Sequence, residues 1–232
     1  MRVDDDAQVV LLTSHFIMQL NLSELSPAKR YGILSSLIVP RPIAWVTTLD
    51  EDGQVNAAPF SYFQIMGENP PLVVLGIGRR PDGSAKDSFR NIRRSREFVI
   101  NIVTEENAQF MNLCATDFPS GMSEPEALGL KTEPSTMVKP PRLAVAPAQL
   151  EGRELQTLLI GGNQVVMGEL LVAHIRDEFF DAEKMHVLTE KMHIIGRLQG
   201  GEGGGYSRTN EPFHMKRLTY AEWQAMEAGK KA

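Results

Sequence analysis

The chain has 232 residues, of which 42% are hydrophobic and 23% charged, and its formal net charge is −5 at pH 7. This composition is typical of a globular protein, and the negative charge argues against a general nucleic-acid surface. A single cysteine excludes a framework of intrachain disulfides and fits a reducing compartment, so we expect a cytoplasmic protein.

Residues 1–17 differ in character from the rest of the chain. Three aspartates, Asp4–Asp6, stand where a secretory signal would carry positive charge, and the apolar run Val9–Leu12 is too short for its hydrophobic segment. No apolar run approaches the roughly 18 to 20 residues that a membrane-spanning helix needs. We therefore expect an N-terminal extension over 1–17, a single domain over 18–232, and no membrane partner.

A β-hairpin is predicted over residues 43–61. The segment 43–48 is β-branched and aromatic, and the Asp-Glu-Asp-Gly sequence at 50–53 is typical of a tight turn. Arg41 lies between two prolines that fix the backbone around it, so its side chain leaves an extended segment in a defined direction. An arginine held in this way is suited to binding an anion, and Ser61 follows the second strand.

The remaining elements are mostly strands. Four runs of apolar and β-branched residues predict strands at 72–77, 97–103, 156–160 and 164–175. The last two flank Gly161-Gly162 and form a hairpin in which Gly168 marks a bulge. Four segments have helical character: 26–34, 86–94, 104–115 and 219–227. Because strands dominate and do not alternate regularly with helices, this order predicts a closed antiparallel barrel with helical caps and excludes a doubly wound sheet.

Neither glycine-rich segment fits a standard nucleotide-binding motif. The segment 76–81 lacks the third glycine of a dinucleotide-binding fingerprint and runs into a proline. The segment 200–205 is not followed by the Gly-Lys-Ser/Thr of a phosphate-binding loop. It is either a plain surface loop or a flexible loop that lets Tyr206 and Arg208 approach a ligand.

A better candidate for an anion site is the helix start at Lys86-Asp87-Ser88. A helix N-terminus offers unpaired N–H groups and a partial positive charge. Lys86 adds a full charge and Ser88 a hydroxyl, while Asp87 is expected to cap the turn. Taken alone, such a pattern usually marks no more than an ordinary capped helix.

Five ordered motifs together resemble the FMN-binding split-barrel, flavin reductase-like family, in the branch that includes flavoredoxin and the reductase component of nitrilotriacetate monooxygenase. The resemblance covers roughly residues 20–218. Its motifs are Tyr31, Pro40–Thr48, Ala58–Ser61, Lys86-Asp87-Ser88 with Asn91-Ile92, and Tyr206 with Arg208-Thr209. It implies a mainly β fold, an antiparallel Greek-key split β-barrel with a few capping helices.

The resemblance also implies a flavin site and a homodimer with flavin pockets near the subunit interface. Arg41, Ser61, Lys86 and Ser88 would hold the FMN phosphate and ribityl chain, and segments 44–47 and 58–62 would line the flavin ring, largely through backbone. Tyr206 would cover the flavin face, and Arg208 would attract a nicotinamide cofactor. The implied cofactor-binding residues are Arg41, Ala44, Trp45, Val46, Thr47, Ala58, Ser61, Tyr62, Lys86, Ser88, Asn101, Tyr206 and Arg208.

The implied function is that of an NAD(P)H:flavin oxidoreductase in which FMN carries the chemistry, so no catalytic acid–base pair is required of the protein. The reduced flavin would pass electrons to a partner monooxygenase, to a free flavin or to a bound substrate. Two alternatives are an FMN electron-transfer or storage protein without a nicotinamide site, and a haem-binding relative.

Cysteine and histidine do not point to another chemistry. Cys114 stands in an apolar helical context without a basic neighbour, which favours a core position over a redox centre. His174, His186 and His193 do not have the spacing of metal ligands, so we expect no metal site.

Overall fold

The computed structural model describes residues 18–200 and 204–230, with side chains up to 226, so the extension expected over 1–17 lies outside it. One antiparallel seven-stranded sheet dominates these residues, in the spatial order β2-β1-β5-β8-β9-β4-β3. Its strands are β1 (Ala44–Leu49), β2 (Val55–Phe60), β3 (Phe63–Glu68), β4 (Pro71–Ile77), β5 (Glu97–Ile102), β8 (Ala148–Ile160) and β9 (Asn163–Ile175).

Three short strand pairs accompany the large sheet. They are β6 (Thr132–Glu133) with β7 (Arg142–Leu143), β10 (Phe180–Asp181) with β11 (His186–Val187), and β12 (Ile195–Arg197) with β13 (Tyr206–Arg208). The mainly β fold expected from the sequence is confirmed.

The predicted hairpin is present as β1 and β2. Gly53 has a φ of +81°, a backbone conformation that glycine adopts readily, and its N–H donates to Asp50 O at 3.2 Å. The Asp50 carboxylate also accepts the N–H of Asp52 at 3.0 Å and of Gln54 at 2.8 Å. These bonds set the register that pairs Leu49 with Val55.

The barrel is split between β2 and β3. These two strands are consecutive in the chain and are joined only by Ser61 and Tyr62, yet they are the two edges of the sheet. In the part of the chain that the structure describes, no ladder pairs them, which corrects the closed barrel expected from strand order to a split barrel. The connection is held against β4 because the Gly76 N–H donates to Tyr62 O at 2.6 Å.

The core inside the sheet is built around Phe98, which is fully buried. A Cβ atom added to Gly152 or to Gly168 would lie 2.5 Å from the Phe98 ring, so both glycines are needed for the close approach of β8 and β9. The bulge expected at Gly168 lies on the partner strand instead, where the β8–β9 register shifts between Glu154, which pairs with Gly168, and Gln156.

The described residues include six helices, and those at 87–95, 108–113 and 124–127 contact β1, β2 or β5 of the sheet. One difference from the sequence prediction lies at 104–115, where only 108–113 is helical. The Thr104 N–H is bonded at 2.9 Å to the side chain of Asn107, so a turn precedes the helix. The helices are α1 (Pro27–Leu37), α2 (Asp87–Ser95), α3 (Ala108–Leu113), α4 (Glu124–Ala127), α5 (Thr189–Met192) and α6 (Tyr220–Lys230). None of the helices among the described residues is both long enough and apolar enough to cross a bilayer.

Candidate functional site

Arg41 is buried at the entry to β1 and is bound mainly by backbone carbonyls. Its Nη1 donates to the carbonyl oxygens of Ser35, of Ile38 at 3.3 Å and of Leu198 at 2.5 Å. Its Nε donates to Ser61 Oγ at 3.3 Å. Within the described part of the chain, its Nη2 has no hydrogen-bond partner. Arg41 therefore joins the end of α1 to the segment after β12, and only Nη2 remains for a ligand.

Aromatic rings cover the connection between β2 and β3 beside this arginine. Tyr62 is 48% exposed, and its ring centroid lies 6.3 Å from that of Tyr31. The Arg41 guanidinium carbon lies 6.0 Å from the Tyr62 ring centroid. Burial, with a smaller effect from Tyr31, raises the pKa of the Tyr62 hydroxyl, although Arg41 opposes the shift. Tyr62 thus presents a neutral, half-exposed aromatic face next to a cation.

Lys86 lies just before the first residue of α2, with its Nζ 5.7 Å from the ring centroid of Phe60. Its ammonium makes no hydrogen bond or ion pair with the residues that the structure describes, although its backbone carbonyl accepts the Arg90 N–H at 3.1 Å. With Ala58 and Arg80 it borders a cavity of about 90 Å³ at the N-terminus of α2. An unpaired ammonium beside a helix N-terminus attracts anions.

Arg41 contacts Ser61 and Tyr62, and Lys86 contacts Phe60, so the consecutive residues 60–62 form a strip along the split of the barrel with one cation near each end. We refer to this strip as the edge surface, made of Tyr31, Arg41, Phe60, Ser61, Tyr62 and Lys86.

The two neighbours of Lys86 have other roles than those predicted for them. Asp87 does not cap the turn; its carboxylate pairs with Arg80 at 2.5 Å and with Arg90. Ser88 is 1% exposed, and its hydroxyl donates to Asn56 Oδ1 at 2.8 Å. Because its proton is committed to this bond, the Ser88 hydroxyl is a structural donor rather than a donor to a phosphate.

Sequence reasoning missed Glu124, a buried carboxylate that completes this network. The Asn56 Nδ2 donates to both its oxygens at 2.9 Å, and the Ala57 N–H donates to one of them at 2.9 Å. Burial raises the pKa of Glu124 in spite of these bonds. The Ser-x-x-Glu pattern beginning at Ser123 marks the start of α4, but nothing local in the sequence indicates that Glu124 reaches β2.

The side chains of the four predicted ligand contacts on β1 lie in the core. Ala44, Trp45, Val46 and Thr47 are all 0% exposed, and the strand is paired with β2 on one side and β5 on the other. Ala44 and Val46 pack inside the sheet, while Trp45 packs against the cluster on its outer face. In a single chain, these side chains therefore offer no surface to a flavin ring.

Asn101, the predicted ligand contact on β5, links β1 to β7 through its side-chain amide. It is fully buried on β5, and its Nδ2 donates to Trp45 O at 2.9 Å. Its Oδ1 accepts the Leu143 N–H at 2.7 Å. Both ends of the amide are used within the protein.

Tyr206 lies on β13, close in the fold to Arg41. The backbone of Arg197 pairs with Tyr206 on one side and with Arg41 on the other. The Arg197 guanidinium carbon is 4.8 Å from the Tyr206 ring centroid, and the tyrosine hydroxyl donates to Asn112 Oδ1 at 3.3 Å. Tyr206 thus adds an ordered aromatic ring near the edge surface.

Arg208 lies on the same strand and borders a second cavity, of about 520 Å³. Its Nε and Nη2 donate to the two carboxylate oxygens of Glu105 at 2.8 and 2.5 Å. This hydrogen bonding holds the pKa of Glu105 below its usual range, so the pair is charged at neutral pH. Sequence reasoning missed Glu105, which is 103 residues from Arg208 in the chain.

Cys114 is a core residue, as predicted. It is 2% exposed, and burial raises the pKa of its thiol to about 12. A thiol that stays protonated at neutral pH is a poor nucleophile.

The sequence and the fold of this chain are both similar to those of known proteins. A model of the flavin reductase like domain matches residues 35–193. An uncharacterized protein of Deinococcus radiodurans is 45% identical to this chain, over 88% of it and 91% of the relative. The structure of the 2-nitrobenzoate 2-nitroreductase of Pseudomonas fluorescens is 34% identical, covers 88% of this chain and 98% of its own, and has a TM-score of 0.79.

A further solved structure, nitrilotriacetate monooxygenase component B from Bacillus cereus, is 28% identical. The similarity covers 87% of this chain and all of that one, with a TM-score of 0.81. The family match at 35–193 includes the edge surface except Tyr31, and it ends before Tyr206 and Arg208.

Proposed function

The chain belongs to the flavin reductase like domain family, and from that premise we propose that it binds FMN and reduces it with a nicotinamide cofactor. Family membership makes it a flavin-related oxidoreductase. The proposal goes beyond family membership in three respects: it names FMN as the flavin, a nicotinamide cofactor as the electron donor, and a class of electron acceptor.

The observation that carries the proposal is the edge surface, which combines half-exposed aromatic faces with a cation near each end. FMN has a flat ring system and a phosphate, so it needs an aromatic contact and an anion site a short distance apart. The exposed face of Tyr62 suits the ring. Lys86, free of protein partners in the described residues, and the N-terminus of α2 suit the phosphate. The unpartnered Nη2 of Arg41 offers one further donor.

When bound, FMN would supply the hydride-accepting chemistry, and the protein would bind it, orient it and limit its exposure to water. The Tyr62 hydroxyl is protonated near neutral pH, and burial raises its pKa further, so it can donate a hydrogen bond without placing a negative charge beside the ring. Arg41 keeps the β2–β3 connection in place through Ser61.

We place the nicotinamide cofactor in the cavity beside β13. Tyr206 gives this cavity an aromatic wall, and Arg208 gives it a cation. The backbone pairing of β13 through Arg197 to Arg41 brings that wall close to the edge surface. A donor bound there would therefore lie near a flavin held by Tyr62.

The acceptor in this proposal is a partner monooxygenase, a free flavin or a bound substrate. The similarity to a monooxygenase component favours the first, and the higher identity to a 2-nitrobenzoate nitroreductase favours the last. Assaying the reduced protein with free FMN, with a nitroaromatic acid and with oxygenase components separates the three.

We also propose a homodimer. Large apolar side chains on β3 and at the β8–β9 hairpin are exposed in the single chain, including Ile65, Met66, Leu159 and Ile160. An exposed apolar face of this kind is typical of a subunit contact. Light scattering should give about twice the 25.8 kDa mass of one chain, and a monomer with FMN bound would contradict the proposal.

An anaerobic reduction experiment tests the function. Purified protein loaded with FMN should lose its flavin absorbance when NADH or NADPH is added, because hydride transfer reduces the ring. Tight FMN binding without reduction by either donor would instead indicate an electron-transfer or storage protein. Failure to bind FMN, with binding of haem, would indicate the haem-binding alternative.

A further inference from the structure

The cavity beside β13 is lined by more negative than positive charge. Glu105 and Glu211 contribute two carboxylates, and Arg208 contributes one guanidinium. Both Nε and Nη2 of Arg208 are already bonded to Glu105, so the Nε–Nη2 edge of the guanidinium is occupied and its charge is compensated. His193 also lies near Glu105, and its backbone carbonyl accepts the Glu105 N–H at 3.0 Å.

A cavity with this charge should bind the two nicotinamide cofactors with different affinity. NADPH differs from NADH only by a phosphate on the adenosine ribose, where NADH has a 2′-hydroxyl. A carboxylate accepts a hydrogen bond from that hydroxyl and repels the phosphate, whereas a free arginine accommodates the phosphate. Glu105 provides the carboxylate and at the same time compensates the charge of Arg208 by bonding to one edge of its guanidinium.

Building on the proposed function, we infer that Glu105 is a specificity-determining residue that makes this cavity select NADH over NADPH. Glu105 acts both by repelling the ribose phosphate and by holding the guanidinium of Arg208. Its exchange for a neutral side chain therefore releases Arg208 and removes the repulsion together.

The kinetic test compares Glu105→Gln with the wild type and with Glu106→Gln, using FMN-loaded protein and both donors. Glu106 is the matched control because it is the neighbouring exposed acid and has no ion pair among the described residues. The wild type and the control should favour NADH in kcat/KM, mainly through KM. Glu105→Gln should shift the NADH-to-NADPH ratio roughly tenfold toward NADPH. A wild type that prefers NADPH, or a ratio unchanged in Glu105→Gln, would overturn the inference.

A binding test separates this inference from the proposed function because it needs no reduction of flavin. Calorimetry measures the affinity of the same variants for ADP and for 2′,5′-ADP, the adenosine halves of NADH and NADPH. The wild type should bind ADP more tightly, and Glu105→Gln should gain affinity for 2′,5′-ADP. If these shifts occur while neither donor reduces FMN, the selectivity stands and the reductase function fails. If NADH reduces FMN but Glu105→Gln shifts neither binding nor the kinetic ratio, the function stands and the role of Glu105 fails.

Discussion

Replacing Arg41 with alanine should destabilise the protein even when no flavin is bound. The side chain is 5% exposed, and its Nη1 donates to the carbonyls of Ser35, Ile38 and Leu198. A hydrogen bond to a charged group contributes about 1.5 to 3 kcal/mol, and a carbonyl left buried without a partner adds to the loss. Relief from burying a cation offsets part of this, so we expect a net loss of about 3 kcal/mol in the free energy of unfolding. In a chain of this size, that corresponds to a fall of roughly 6 to 12 °C in Tm.

Thermal unfolding of the flavin-free protein, followed by circular dichroism, measures this effect. Arg79→Ala is the matched control because Arg79 is exposed and, among the residues that the structure describes, its side chain donates only to Gly83 O, at 3.0 Å. Arg41→Lys keeps the charge but not the branched geometry, and it should recover only part of the loss. A Tm of Arg41→Ala within about 1 °C of wild type would refute the structural role and leave anion binding as the main role of this arginine.

Three further predictions concern the anion site, the core and the response to pH. Lys86→Ala should weaken FMN binding by about ten- to a hundredfold in a fluorescence titration, because one charge-assisted contact is lost; an unchanged affinity would place the phosphate elsewhere. Gly152→Ala should cost about 3 kcal/mol or more in urea unfolding, because its Cβ would lie 2.5 Å from the Phe98 ring; wild-type stability would show that the ring can move aside. Burial alone would raise the pKa of Glu151, but backbone N–H groups and His174 outweigh it and hold that pKa below its usual range. Glu151 therefore stabilises the fold above its unfolded pKa of about 4.3 and loses this effect as the pH falls through its lower folded value. Glu151→Gln should flatten the acid limb of a stability-against-pH curve, and an unaltered limb would contradict the assignment.

Local chemistry in the sequence was enough to determine the main elements of this protein. The turn at Gly53, the strand character of 72–77 and 97–103, and the helix that begins after Lys86 all depend on residues within a few positions of one another. Backbone preferences and short-range hydrogen bonds decide such features, so the hairpin and the anion-attracting helix start could be predicted. The order of these motifs was also enough to identify the family.

The roles of individual site residues were decided only by the tertiary structure. Ala44–Thr47 have strand chemistry that would suit either a ligand surface or a buried strand, and the pairing of β1 with β2 and β5 buries both faces. The arginine predicted to hold a phosphate also binds a carbonyl 157 residues away, at Leu198.

The same applies to the acidic residues that the sequence did not reveal. Glu124 reaches Asn56 across 68 residues, and Glu105 reaches Arg208 across 103. A charged side chain has no local preference among distant partners, so its partner is set by which elements the folded sheet brings together. The sequence therefore determined where the charged and aromatic groups lie along each element. The folding of the sheet determined which of them are paired with an opposite charge, which are buried and which remain free to bind a ligand.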